Sequence, residues 1–171
     1  MKPHPQAKKS ATVAQNENFY PIVFSSRNKE TLKKAINSSN INDKDFAFTD
    51  NLEKAKKLLK DKKYIATTNN KIAATLVDCL VDCTGDTETG TKLSLLAIEN
   101  NVDIVSLNVE MDATVGPYLK VLADKKGVIY SGTKGDEPGA IVEIYEFPKN
   151  CGFEVLVLGK GKNNKLDNYA K

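Results

Sequence analysis

LVDCLVDCTG, residues 76–85, is a near-continuous apolar run that ends on a glycine. A strand covered on both faces, as in a parallel sheet, has this composition, whereas a half-exposed strand alternates apolar with polar residues. The sequence that follows keeps the same grammar. TKLSLLAIENN (91–101) reads as a helix, VDIVSLN (102–108) as a strand, and ATVGPYLKVLADKKG (113–127) as a helix stopped by Gly127. VIYSG (128–132) is the next strand, DEPGAIVEIYEF (136–147) the next helix and FEVLVLGKG (153–161) a final strand. Strands alternating with helices of about 10 to 15 residues predict βαβ units and a mostly parallel twisted sheet.

Upstream, residues 1–18 are polar and proline-bearing, without apolar periodicity, and read as a flexible lead-in. FYPIVFS (19–25) is β-rich, and Asn28 is a candidate N-cap for a helix with Leu32, Ala35 and Ile36 on one face. FAFTD (46–50) is a strand candidate. NLEKAKKLLK (51–60) places Leu52, Ala55, Leu58 and Leu59 on one stripe, and the six lysines from Lys54 to Lys63 around it read as a solvated helix face.

PIVFSSRN (21–28) resembles the second strand of a dinucleotide-binding unit, with a polar tip that would meet the adenosine ribose. Such a unit requires a glycine loop before it, because a Cβ would block both the turn and the approach of backbone amides to a pyrophosphate. All ten glycines lie between Gly85 and Gly161, so no G-x-G-x-x-G precedes Pro21. The fold expected is an incomplete, Rossmann-like, doubly wound α/β structure with a mostly parallel sheet that lacks its first strand and glycine loop. The expected domains are the lead-in (1–18), a partial NAD(P)-binding domain (19–150) and the start of a substrate and dimerisation domain (151–171).

The totals remove several chemistries. With 171 residues and a net charge of +3, the chain is one domain, or one and a fragment, and is not markedly basic; no nucleic-acid partner is expected. The only histidine, His4, sits in the polar tail, which excludes His-based triads and His metal clusters; any acid–base chemistry falls to lysine, aspartate, glutamate or tyrosine. Arg27 is the only arginine, so bidentate phosphate recognition has one possible place. Three cysteines, two of them inside the apolar run, fit core residues of a reducing compartment better than a disulfide framework or a metal site, and no metal is expected. No stretch approaches the ~20 apolar residues that span a bilayer, and no secretory h-region is present; the expectation is a cytoplasmic protein with no membrane partner.

Ligands of parallel sheets bind beyond the carboxyl ends of the strands. At the first such end, Ser26 and Arg27 offer the hydroxyl and cation suited to the extra phosphate of NADP, although a helix-capping serine pair beside a solvent-facing arginine is an equal reading. Glu110, Asp112, Lys160 and Lys162 crowd later tips, while Asp136 sits where capping and the helix dipole would explain it. In GKGKNN (159–164), flanking glycines would let two lysines approach a phosphorylated or carboxylated substrate, unless the segment is a disordered basic terminus.

VDCTG, SLNVEMDATVGPYLKVLADKKGVIYSG, GDEPGAIVEIYEF and LGKGKNNKLDNYA resemble, in order and spacing, the homoserine-dehydrogenase-like oxidoreductases with a SAF domain, including the 1-deoxyxylulose-5-phosphate-reductoisomerase-like group. The likeness covers residues 64–171 closely and 19–60 more loosely. It implies an NADP (or NAD) cofactor, hydride transfer to a small-molecule carbonyl substrate, and a homo-oligomer. By the same resemblance, Ser26 and Arg27 match the ribose tip, with Arg27 holding the 2′-phosphate, and Thr84 and Gly85 match the loop beside the nicotinamide ribose. Asn108 joins the cofactor-binding set, in the loop that also carries Glu110 near the substrate. Lys160 or Lys162 would bind or protonate the substrate oxygen, with Glu110 and Asp136 orienting it. Where homoserine dehydrogenases carry a functional lysine after the asparagine, this chain has Val109, which moves that role to Lys160 or Lys162.

The resemblance also implies truncation at both ends, since the family's first strand and phosphate loop belong before Phe19 and its substrate domain continues past the region of Lys171. The expected function is therefore a fragment or degenerate form of an NAD(P)-dependent oxidoreductase with little or no turnover of its own. The alternative is a noncatalytic Rossmann-like interaction or regulatory module that pairs with an intact paralogue.

Overall fold

A computed structural model describes Tyr20 and residues 22–39, 41–133 and 137–159. The chain divides into two compact units, Met1–Thr133 and Lys134–Lys171.

The first unit alternates strand and helix: β1 (Val23–Ser25), α1 (Lys29–Asn37), β2 (Phe46–Phe48), α2 (Leu52–Lys60), β3 (Tyr64–Thr67) and the short α3 (Asn70–Ala73). It continues with β4 (Cys79–Asp82), α4 (Thr87–Glu99), β5 (Asp103–Ser106), α5 (Val109–Lys126) and β6 (Tyr130–Gly132). The helices start where short polar side chains take up otherwise unpaired amides. Asn28 accepts from Glu30 N at 2.7 Å, Asn51 from Lys54 N at 2.9 Å, Asp86 from Thr89 N at 2.7 Å and Asn108 from Met111 N at 3.1 Å. Each such cap contributes about 1 kcal/mol. Gly127 ends α5 with φ +72, a left-handed conformation that costs a Cβ-bearing residue.

The α/β, parallel architecture matches the expectation, and it comes as two three-stranded sheets of order β1-β3-β2 and β4-β5-β6, every pairing parallel. In the dinucleotide-binding order the first strand lies between the second and the fourth. β1 is the strand whose sequence reads as second, and among the described residues it pairs only with β3 while β4 pairs only with β5. β1 pairs with β3 and not with β2, so the two sheets do not reproduce the order in which a second strand lies beside the third. β3, whose Ile65 lies beside Val23 on one side and Ala47 on the other, is the central strand of its sheet and was not singled out in the sequence.

The largest core joins Leu80, Ile104 and Tyr130 of the second sheet to Leu93 and Ala97 of α4 and Met111, Leu119 and Ala123 of α5, and Val23 of β1 packs against it. Two smaller clusters serve the first sheet, one around Phe24 and Leu32 and one around Ala55, Ile65 and Ile72. As the lysine pattern required, α2 buries Ala55 and leaves Lys54, Lys56, Lys57 and Lys60 exposed.

Two expectations are corrected. β4 is not covered on both faces: Leu80 and Asp82 are buried, but Cys79 and Val81 are exposed, because the core of α4 and α5 lies against only one set of alternating side chains. Cys79 is accordingly no core residue, nor is Cys151, which is exposed as well.

The second unit contains α6 (Glu137–Asn150), closed by Gly152 at φ +86 with Phe153 N donating to Pro148 O at 3.0 Å. Residues 153–159 form no strand, contrary to the sequence pattern, and Phe153, Leu156 and Val157 are exposed. A strand exists by hydrogen bonding to a neighbour, and the described residues of this unit include no strand to pair with. The expected boundary at 150/151 falls at the end of α6, inside this unit.

Candidate functional site at the carboxyl ends of the strands

The site is built at the ends of β1, β3, β4 and β5. After β1 the chain turns at Ser26, whose amide donates to Thr67 O at 3.2 Å, and enters α1 through Asn28. Ser25 Oγ donates to Asn70 Oδ1 at 2.5 Å, which ties this tip to the start of α3. Arg27 is exposed, and its charge reaches Asp86 after β4. The Asp86 carboxyl lies below its ordinary range chiefly because Thr89 hydrogen-bonds it, with Arg27 and Lys92 adding to the effect.

The loop after β4 rests on a buried polar cluster. Asp82, 1% exposed, accepts from Thr84 N at 2.9 Å through Oδ1 and from Asn108 Nδ2 at 3.2 Å through Oδ2. Asn108 Nδ2 also lies 3.0 Å from Thr84 Oγ1 and 3.0 Å from Asp86 O. Gly85 bends the loop at φ +63, a conformation that suits glycine. Gly90, in the first turns of α4, presses on this cluster so closely that a Cβ there would fall on Asn108 Nδ2 and within 2.7 Å of Asp82 Oδ2.

Of the predicted residues, Ser26, Arg27, Thr84, Gly85, Asn108 and Glu110 lie in the described set, and all stand at or just beyond strand ends. Asn108 is fully buried, while Glu110 is exposed in the first turn of α5. Asp136, Lys160 and Lys162 lie outside the described residues. Sequence reasoning missed two hydrogen-bonded carboxylates, Asp50 and Asp82. Asp50 accepts from Thr67 Oγ1, Thr68 N, Thr68 Oγ1 and Asn69 N, and the Thr68 and Thr67 hydroxyls lead in lowering its pKa to about 2. Asp82 was legible only as the polar interruption of an apolar run.

The polar tips at Ser26–Arg27 and Thr84–Asp86 stand just beyond the ends of β1 and β4. A diphosphate needs closely spaced glycines at a strand end, and no G-x-G follows a described strand of the first unit. No step of hydride chemistry follows from these residues alone. Among the described residues no group of three or more His, Cys, Asp or Glu side chains could hold a metal ion, and no helix is long and apolar enough to cross a membrane.

A family model described as oxidoreductase DRL, catalytic domain, matches residues 135–171. No curated protein matches the chain. The match supports an oxidoreductase and does not distinguish the homoserine-dehydrogenase-like SAF-domain group or NADP from NAD.

Proposed function

We propose that residues 1–171 are part of an NAD(P)-dependent oxidoreductase: a Rossmann-like unit, short of its phosphate loop, that runs into the beginning of a catalytic domain. The intact protein would transfer hydride to a small carbonyl substrate, with NADP favoured by Arg27. Thr84 and Gly85 would border the nicotinamide ribose, and Lys160 or Lys162, with Asp136, would bind and orient the substrate oxygen. The observation that carries this reading is the succession along one chain of an α/β unit with all-parallel sheets and a segment similar to an oxidoreductase catalytic domain.

Half-cofactors test the reading because they do not need the missing cradle. Adenosine 2′,5′-bisphosphate should shift the backbone resonances of Ser26 and Arg27, and Arg27→Ala should weaken that binding about 10- to 100-fold, as loss of a charge-assisted phosphate contact does. Equal binding of adenosine 5′-monophosphate, or no change in Arg27→Ala, contradicts the 2′-phosphate assignment.

Among the described residues the free edges of β1 and β4 favour a second reading, a noncatalytic module that pairs with an intact paralogue. Co-elution with such a paralogue on size exclusion supports it, and a solitary monomer in the mixture removes it.

A further inference from the structure

We infer that Asp82 and Asn108 are positioning residues, a buried clamp that holds the Thr84–Asp86 loop against the start of α5. Asn108 is 0% exposed and each of its polar groups is engaged. Its side-chain amide faces Asp82 Oδ2, Thr84 Oγ1 and Asp86 O, its side-chain oxygen accepts from Met111 N, its backbone amide donates to Ser106 Oγ at 3.1 Å, and its carbonyl accepts from Asp112 N at 3.0 Å. No atom of Asn108 is left for a cofactor. It acts on the loop instead.

The physics of the cluster requires this. A carboxylate buried as deeply as Asp82 is costly unless its oxygens are hydrogen-bonded, and here each has one donor, one from the loop and one from the cap of α5. The same hydrogen bonds therefore satisfy the buried carboxyl and fix where Thr84 and Gly85 stand. Gly90 closes the third side, since any side chain there would drive Asn108 off its acceptors. A ligand-facing loop gains affinity when its shape is set before binding, and a clamp beneath it does so without touching the ligand. The functional part of this inference rests on the proposal that the loop faces the nicotinamide ribose.

The test uses residues 1–171, nuclear magnetic resonance and nicotinamide mononucleotide as the probe. Asn108→Ala should speed amide exchange across Thr84–Asp86 about tenfold in the free protein, the effect of losing one net hydrogen bond, and weaken the mononucleotide to a similar degree. Thr84→Val, which removes one acceptor and keeps the shape, should do the same more mildly and serves if Asn108→Ala fails to fold. The reciprocal pair Asp82→Asn with Asn108→Asp should recover part of the loop protection lost in either single variant, because donor and acceptor are exchanged between the same two positions. Unchanged loop exchange in both Asn108→Ala and Thr84→Val overturns the clamp, and Asn108→Ala that loses the mononucleotide with an unaltered loop makes Asn108 a direct contact. If the loop loosens in the variants while the mononucleotide leaves Thr84 and Gly85 of the unmodified chain unmoved, the clamp stands and the nicotinamide-ribose reading falls.

Discussion

The phenol of Tyr130 donates to Asp112 Oδ1 at 2.9 Å and joins β6 to α5 across the main core. Burial, and then the hydrogen bond to Asp112, push the Tyr130 hydroxyl well above its ordinary pKa. A raised pKa adds stability that is fully present below the unfolded value of about 10 and is lost as pH rises through the folded value. Tyr130→Phe should cost about 1 kcal/mol in urea unfolding at neutral pH, the worth of one net hydrogen bond. It should also reduce the loss of stability above about pH 10, to which burial of the Tyr130 hydroxyl contributes.

At the other sheet, Asp50 ties the end of β2 to the end of β3. Its lowered pKa gives stability that is present above its ordinary value of 3.8 and is lost as pH falls toward about 2. Asp50→Asn should therefore flatten the acid limb of a pH–stability curve between those values. Because Asp50 is exposed, solvent screens the effect, and at neutral pH the substitution should cost no more than about 1 kcal/mol by chemical denaturation.

Two glycines should respond to alanine for different reasons. Gly90→Ala forces a Cβ into the Asp82 and Asn108 cluster and should cost about 1 to 3 kcal/mol, as overpacking does. Gly127→Ala meets open space but must hold φ +72, so its cost of about 1 kcal/mol is a backbone cost. Urea midpoints that fall equally in both variants, together with unshifted Asn108 resonances in Gly90→Ala, would contradict the crowding at Gly90.

How much of this was legible in the sequence depends on how each element is stabilised. The helix after Asn28 begins at a residue whose short side chain caps locally, so sequence carried its start, whereas the helix expected at 91–101 starts four residues earlier, at Thr87, where Asp86 caps it. The strands at Ile104 and Tyr130 follow from apolar runs packed on one core. β3 is not legible in sequence because Tyr64–Thr67 owes its central place to pairing with β1 and β2 on its two sides, a long-range fact. The apolar run of β4 gave the strand but not the exposure of Cys79 and Val81, since composition does not reveal which faces other elements cover. FEVLVLG reads as a strand by composition, yet pairing decides whether one forms. At the site, the tips of Ser26, Arg27, Thr84 and Gly85 were legible from the order of elements. The buried state of Asn108 was not, because an asparagine before a helix looks the same whether it faces a ligand or the core.

On the proposed function, the tips at Arg27 and Thr84 face the two riboses of the cofactor with no glycine cradle between them. Calorimetric titration of residues 1–171 with NADPH should therefore show binding no tighter than that of the half-cofactors, with no gain from the diphosphate, and nanomolar affinity would overturn that reading.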